Sequence, residues 1–262
     1  MTVIDVHELT DPVLAAEHRS LSSVSKALTI LDAFQGAASV LGVTEIARRT
    51  GFPKSTAFRL LSSLEELGYI ERRGSDYCLG RRLFELGNEV SWCRPSNLRD
   101  TALPFMCELF LHLQQVVHLA VLQGTDVLYL EKLHGHDRLA SPSRVGGRVS
   151  ARTTALGKAI LAFSPTSVIH KALTVAPALR TGYTILHPQL FLEELDDVRR
   201  KGVSFDREEV RIGLTCVAAP ILLRGEPLGA ISASGRTGAF DPVAAAARVK
   251  AVADAIAKRM GA

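Results

Sequence analysis

The chain has 262 residues, 47% of them hydrophobic and 22% charged, a composition that excludes a disordered chain and fits two compact domains or one large one. No uncharged apolar run approaches the roughly 18 residues of a membrane helix. The acidic opening MTVIDVHELTDP lacks the basic-then-apolar pattern of a secretory signal, so the chain is expected in the cytoplasm and off the membrane. The net charge of +4 is unevenly placed. Residues 1–18 carry four acids (Asp5, Glu8, Asp11, Glu17) and no Lys or Arg; residues 19–82 carry ten bases against six acids, and residues 83–262 carry 21 against 17. A flexible acidic arm, residues 1–19, thus precedes the densest positive charge of the chain, which is either a phosphate-facing surface or a solvated one.

After the arm, Val24, Ala27, Leu28, Leu31 and Phe34 recur at the spacing of an amphipathic helix, with Ser22 or Ser23 as N-cap and Gln35–Gly36 at its end. A short second helix, TEIARRT, starts at Thr44 as N-cap, turns Ile46 and Ala47 inward and closes at Gly51. Pro53 opens a third helix, its fixed φ suiting a first turn. Ala57, Leu60, Leu61, Leu64 and Leu67 form its buried stripe, and Gly68 stops it. The opposite face holds Ser55, Arg59, Ser62 and Glu66, with Lys54 and Thr56 at the N-terminus. Two short strands, YIERR and YCL, flank the turn Gly74-Ser75-Asp76 and predict a hairpin with Arg72 and Arg73 at its tip. Helix, short helix, turn, helix and hairpin make a winged helix-turn-helix over residues 20–82. Lys54, Ser55, Thr56 and Arg59 then face a major groove, where hydroxyls reach phosphates or base edges and an Arg can grip a guanine edge with two hydrogen bonds. Arg72 and Arg73 suit the DNA backbone or minor groove. The alternative for Arg59 is a surface ion pair with Glu65 or Glu66.

Leu83, Leu86, Gly87 and Val90 give a further helical stripe before Pro95, a connecting helix over residues 83–94. Residues 97–114 are helical in pattern, and VVHLAVLQ and DVLYLEKL are strand-like runs around Gly124-Thr125-Asp126. PQLFLEELDDVRRK reads as a helix ended by Gly202, TCVAAPILL and LGAISASG as paired strands, and the chain from about Asp241 as an Ala-rich helix. Residues 95–262 are thus an α+β domain with a mainly antiparallel sheet. Within it, Thr153 or Thr154 caps a helix starting at Ala155, and the free N–H groups there make an anion cradle. Ser232 and Ser234, two apart on a strand, share a face. The stretch 134–152 holds Arg138, Arg144, Arg148 and Arg152 with Gly135, Gly146 and Gly147, and reads as a mobile basic lid or a solvated loop. Cys78, Cys93, Cys107 and Cys216 lack metal-ligand spacing and read as free thiols. His134 and His136 have no third ligand nearby, so no metal or cofactor is expected.

The phrases SVSKALTILDAF, VTEIARRTGFPKSTAFRLLSSLEELGYIER, YCLG, ALGKAILA, GVSFDREEVRIGLTCVAAPI and GAISASG, in this order from about Leu21 to Gly235, resemble the IclR (isocitrate-lyase-regulator) family of bacterial transcription factors. The resemblance implies a winged helix, a connecting helix that makes dimer contacts, and a GAF-like effector-binding domain. It further implies a dimer or dimer of dimers on double-stranded, palindromic operator DNA, with RNA polymerase as a further partner and a small carboxylate or aromatic acid as effector. It places that effector against the backbone of Ala155 and Leu156, the side chains of Asp206, Cys216, Ser232 and Ser234, and an apolar wall at Leu214. The bland alternatives are strand hydroxyls bonded to their own backbone for the serines, a small buried residue for Cys216 and a turn carboxylate for Asp206. The chain departs from the family where a Pro and a His are common ahead of the helix; it has Ser150 and Arg152. A redox-responsive regulator using Cys216 or Cys93 is one rival reading. Another is an enzyme with Cys216 as nucleophile, for which no His motif supplies a base; the chain is read as a regulator, not an enzyme.

Overall fold

The computed structural model describes residues 21–36, 40–91, 97–134 and 143–261. The acidic arm lies outside the described residues. The chain divides at Val90 into two units.

The N-terminal unit contains helices α1 (Ser23–Asp32), α2 (Val43–Thr50) and α3 (Lys54–Glu66), the short strand β1 (Leu41–Gly42), the hairpin β2 (Ile70–Arg73) and β3 (Asp76–Leu79), and helix α4 (Arg81–Asn88). Ser22 caps α1 by accepting the Ser25 N–H. Its core side is Ile30 and Phe34, with Ala27 and Leu31 partly covered, while Val24 and Leu28 are exposed. The expected stripe is therefore rotated: α1 carries apolar residues on both sides, and periodicity alone does not say which set faces the core. Helix α2 starts from Gly42 rather than Thr44 and ends, as expected, at Gly51, which takes a φ of 69° that glycine adopts without strain. Ala57, Leu60, Leu61 and Leu64 of α3 pack with Ile46, Phe52, Ile70 and Tyr77. Leu67 falls at the helix C-cap and is exposed, so the buried stripe stops one residue short of the expectation. The hairpin forms with Gly74 at positive φ, and β1 adds to β3 as a third strand that the sequence reading did not contain. Two short helices, a longer one and a hairpin constitute the winged helix. Helix α4 begins at Arg81, before the expected start at residue 83, and ends at Asn88; residues 92–94 of the expected connecting helix lie outside the described residues. Phe84 and Leu86 of α4, and Val90 just after it, are exposed.

The C-terminal unit runs through α5 (Leu98–Leu113), β4 (Val116–Gln123), β5 (Asp126–Leu133), β6 (Arg148–Ser150), a 3-10 turn (Ala151–Thr153), α6 (Ala155–Ala162), α7 (Thr166–Thr174), α8 (Pro188–Lys201), β7 (Ser204–Arg207), β8 (Leu214–Leu223), β9 (Glu226–Arg236) and α9 (Pro242–Met260). Helix α7 and strands β6 and β7 go beyond the sequence reading. The sheet is antiparallel throughout, in the order β6-β5-β4-β9-β8-β7. Alternation along each strand divides its side chains between two cores. Val117, Leu119, Val217, Ala219 and Ile231 join α5 and α9 on one face. Ala120, Tyr129, Cys216, Ala218 and Ala230 join α6, α7 and α8 on the other. Helices on both faces of an antiparallel sheet give the expected α+β, GAF-like layering.

Candidate functional site

The exposed side of α3 carries Lys54, Ser55, Arg59 and Glu66, with Thr56 and Ser62 half-buried. Arg59 makes no ion pair with Glu65 or Glu66 among the described residues. The hydroxyl of Ser62 donates to the Phe58 carbonyl at 3.1 Å. Phe58 itself, absent from the sequence reading, is 48% exposed on this helix, three residues after Ser55 and four before Ser62. An aromatic left in water on a face of small hydroxyls has no packing reason to be there. Arg73 is exposed at the hairpin turn. Arg72 is half committed: its Nε donates to the Gly74 carbonyl at 3.1 Å and its guanidinium lies over the Tyr77 ring.

In the C-terminal unit a pocket enclosing about 330 Å³ of empty space, part of it open to solvent, lies between the sheet and the start of α6. Ala155, Leu156, Asp206, Leu214, Cys216, Ser232 and Ser234 all line it, together with His118, Tyr129, Thr154 and Val210. Strand register explains the convergence. Asp206 of β7 pairs with Cys216 of β8, which pairs with Ser234 of β9, so three residues distant in sequence form one row. In the next row Ser232 pairs with His118 of β4. Over these rows sits the N-terminus of α6. Thr154 caps it by accepting the Gly157 N–H at 3.0 Å, which leaves the N–H groups of Ala155 and Leu156, orphaned by helix geometry, at the pocket wall.

The pocket's titratable groups are mostly held neutral. Burial holds His118 down at about 3, with Lys132 and His134 adding to the effect. Its Nε2 lies 2.7 Å from the Ser143 hydroxyl and its Nδ1 3.4 Å from the Ser232 hydroxyl. Burial pushes the Tyr129 hydroxyl up, and the Cys216 thiol likewise, both helped by the Asp206 charge. Asp206 is itself pushed up to about 7 by burial and the nearby Glu209 carboxylate. Behind this wall Lys158, fully buried, reaches Glu209 at 2.6 Å and Glu194 at 3.1 Å.

Two family models cover nearly all of the chain outside the arm: the IclR helix-turn-helix domain over residues 23–74 and the bacterial transcriptional regulator IclR C-terminal domain over residues 92–259. The chain belongs to the IclR family. The transcriptional regulator KdgR of Dickeya chrysanthemi is 33% identical over 212 residues, 78% of this chain and 67% of that protein. The glycerol operon regulatory protein of Streptomyces coelicolor is 31% identical over 254 residues, 93% and 98% of the two chains. Among solved structures, an IclR homolog of Microbacterium hydrocarbonoxydans complexed with 4-hydroxybenzoate matches with a TM-score of 0.84 at 25% identity, covering 91% of this chain and 99% of that one. The IclR of Thermotoga maritima matches with a TM-score of 0.76 at 30% identity, over 92% and 99%. Like these relatives, this IclR-family protein is a DNA-binding transcriptional regulator and not an enzyme.

For an IclR-type regulator, two expectations need correction. Arg152 is not part of a basic lid. It is 2% exposed, lies over the Phe191 ring and donates to the carbonyls of Val175 and Leu186. Arg144 and Arg148 are exposed and do not line the pocket, and Gly135, His136 and Arg138 lie outside the described residues. Cys216 is a poor candidate for redox or nucleophilic chemistry, because a buried thiol pushed up by a neighbouring carboxylate stays protonated, and the thiolate is the reactive form. Cys93 lies outside the described residues. Among the described residues no group of three or more metal-ligating side chains is found. His118, Tyr129 and Val210 were missed. A polar residue at an inward position of the VVHLAVLQ alternation was the available signal for His118. No helix among the described residues is long and apolar enough to cross a membrane.

Proposed function

We propose that this regulator binds a palindromic operator in the cytoplasm as a homo-oligomer, and that a small carboxylate or aromatic-acid effector in the C-terminal pocket tunes that binding. The supporting observation is the pocket's composition: two free helix-terminal amides, the hydroxyls of Ser232 and Ser234 and an apolar wall, with lining residues from six separate elements. Amide and hydroxyl donors suit a carboxylate. Tyr129, Val210 and Leu214 suit an apolar or aromatic body, and Asp206 an effector hydroxyl or water. The 4-hydroxybenzoate bound by the Microbacterium relative has this combination of groups.

On the DNA side, Lys54, Ser55, Thr56 and Arg59 face the major groove and Arg72 and Arg73 the backbone, with the exposed apolar residues of α4 carrying contacts to a second copy. RNA polymerase is a further partner. Effector and operator are coupled only if the effector prefers one arrangement of the winged helices over another. The test is a thermal-shift screen of small carboxylates and aromatic acids, 4-hydroxybenzoate included, since a ligand of the native state raises the melting temperature by mass action. Replacing Ser232 and Ser234 together by Ala is expected to abolish the shift. A full shift in that variant would place the effector elsewhere.

A further inference from the structure

The wall of the effector pocket is backed by more carboxylates than cations, and an entering anion meets that surplus. The groups that face Asp206 come from several elements. Glu209 follows it in the loop after β7, and its N–H donates to the Asp206 Oδ1 at 2.7 Å. Cys216 stands opposite on β8, Tyr129 approaches from β5, and His118 lines the same cavity from β4. Lys158 approaches from α6 and carries Glu194 of α8 behind it. Of these, His118, Tyr129 and Cys216 are neutral near pH 7. Lys158 is the cation of the group, and it is shared between two carboxylates, Glu209 and Glu194. The cluster therefore has a surplus negative charge before Asp206 is counted. An ionised Asp206 adds a second, in a position 2% exposed to solvent. A carboxylate seated at the amides of Ala155 and Leu156 would add a third, in the cavity that Asp206 lines.

We propose that the pocket takes a monocarboxylate together with a proton, and that Asp206 binds the proton. This inference rests on the carboxylate reading of the pocket. Charge in a buried space is opposed by desolvation and by like charges, and the group able to yield is the one poised to protonate. Asp206 is that group, since burial and Glu209 already bring it to about 7. An anion nearby raises it further, and the resulting acid has an O–H to donate to the ligand. A dicarboxylate would bring one more negative charge than the single proton cancels, so the pocket selects against it.

The linkage fixes the pH dependence. Well below pH 7 Asp206 is protonated before the ligand arrives, and affinity does not change with its titration. Above pH 7 binding draws in a proton, and affinity falls by up to about tenfold per pH unit. The experiment is calorimetric titration of the full chain with benzoate, 4-hydroxybenzoate and pyruvate, and with succinate and phthalate, at about pH 6 and about pH 8 in buffers of different ionisation heat. The expected result is uptake of close to one proton at the higher pH and little at the lower, loss of that uptake in Asp206→Asn, and much weaker binding of the dicarboxylates. A monocarboxylate that binds at the higher pH without proton uptake would overturn this inference and leave the carboxylate reading standing. So would equal affinity for mono- and dicarboxylates, or undiminished uptake in Asp206→Asn. If that variant fails to fold, the proton count of the wild-type chain decides. Failure of every monocarboxylate to bind would overturn the carboxylate reading, and this inference with it.

Discussion

Replacing Gly157 by Ala tests the geometry of the pocket without touching any group that would contact a ligand. Gly157 is the third residue of α6 and packs onto the 3-10 turn before it. A Cβ there would lie 2.1 Å from the Ala151 carbonyl oxygen, 2.3 Å from its Cα and 2.5 Å from its carbonyl carbon. All three are backbone atoms, so no side-chain rotation relieves the overlap. Two effects oppose each other. Alanine in a helix interior is favoured over glycine by roughly 0.5–1 kcal/mol. Overpacking costs about 1–3 kcal/mol, and overlap with three backbone atoms belongs at the upper end. The clash wins by ~2 kcal/mol, which for a domain of this size lowers the melting temperature by about 4–8 °C. The same displacement carries the N–H groups of Ala155 and Leu156 away from the Asp206–Cys216–Ser234 row. Scanning calorimetry with and without a bound carboxylate is expected to show both the lower melting temperature and a smaller ligand-induced rise. A variant that melts at or above the wild-type temperature with its ligand response intact would refute the close approach of α6 to Ala151.

Three further outcomes are expected. Arg59→Ala should weaken operator binding by roughly 1–3 kcal/mol and relax sequence preference in a binding titration, and unchanged affinity would remove Arg59 from the interface. Phe58→Ala should cost operator affinity with no loss of melting temperature, because the ring is already exposed; replacing thymines of the operator by uracil should reproduce the loss at the position whose methyl group the ring touches. Asp206→Asn should alter the pH profile of stability. A carboxyl raised from 3.8 to about 7 by folding makes the native state bind its proton more tightly, so the wild-type chain loses stability as pH climbs between those values. The variant lacks that loss and should gain on wild type at alkaline pH in thermal melts, with no gain in acid.

Local pattern revealed what depends on neighbours in sequence. The fourteen-residue helix α8 ends at Gly202, whose φ of 72° matches its reading as a stop, and Ser232 and Ser234 share a face because strand period is two. What stayed hidden depends on distant partners. Nothing near Cys216 in sequence says that Asp206 and Ser234 flank it, since that row exists only through the registers of β7, β8 and β9. Arg152 looked like one more basic residue of a loop, because its burial rests on Phe191 and on the Val175 and Leu186 carbonyls, all more than twenty residues away. In α1 the periodicity put Val24 and Leu28 on the core side, but the helix is apolar on two sides and Ile30 is the buried residue. The resemblance supplied Asp206, Leu214 and Cys216 where periodicity could not, but gave no warning of Phe58 or His118.

Lys158 joins these threads, because one ammonium ties three parts of the pocket together. It projects from α6, one turn below the anion-facing amides, to Glu194 of α8 and to Glu209, whose N–H is bonded to Asp206. A fully buried lysine is costly by itself, and a buried carboxylate left without it costs more. Burial already pushes Glu209 up, Lys158 is the main group opposing that rise, and the Glu209 Oε2 has no hydrogen-bond partner among the described residues. Removing the cation alone, as in Lys158→Met, should therefore cost about 3–5 kcal/mol at neutral pH. Replacing both charges by apolar groups of similar volume, as in Lys158→Met with Glu209→Leu, should recover much of that loss, because the charge then left without its partner, Glu194, is partly exposed and reaches water, whereas Glu209 is buried. Acidification should also shrink the deficit of the single variant, as Glu209 is protonated in both folded and unfolded chains. Denaturant melts of the two single variants and the double variant measure the coupling directly. If Lys158→Met costs the same in the Glu209→Leu background as alone, the pair is not coupled, and the pocket wall is held by packing instead of by charge.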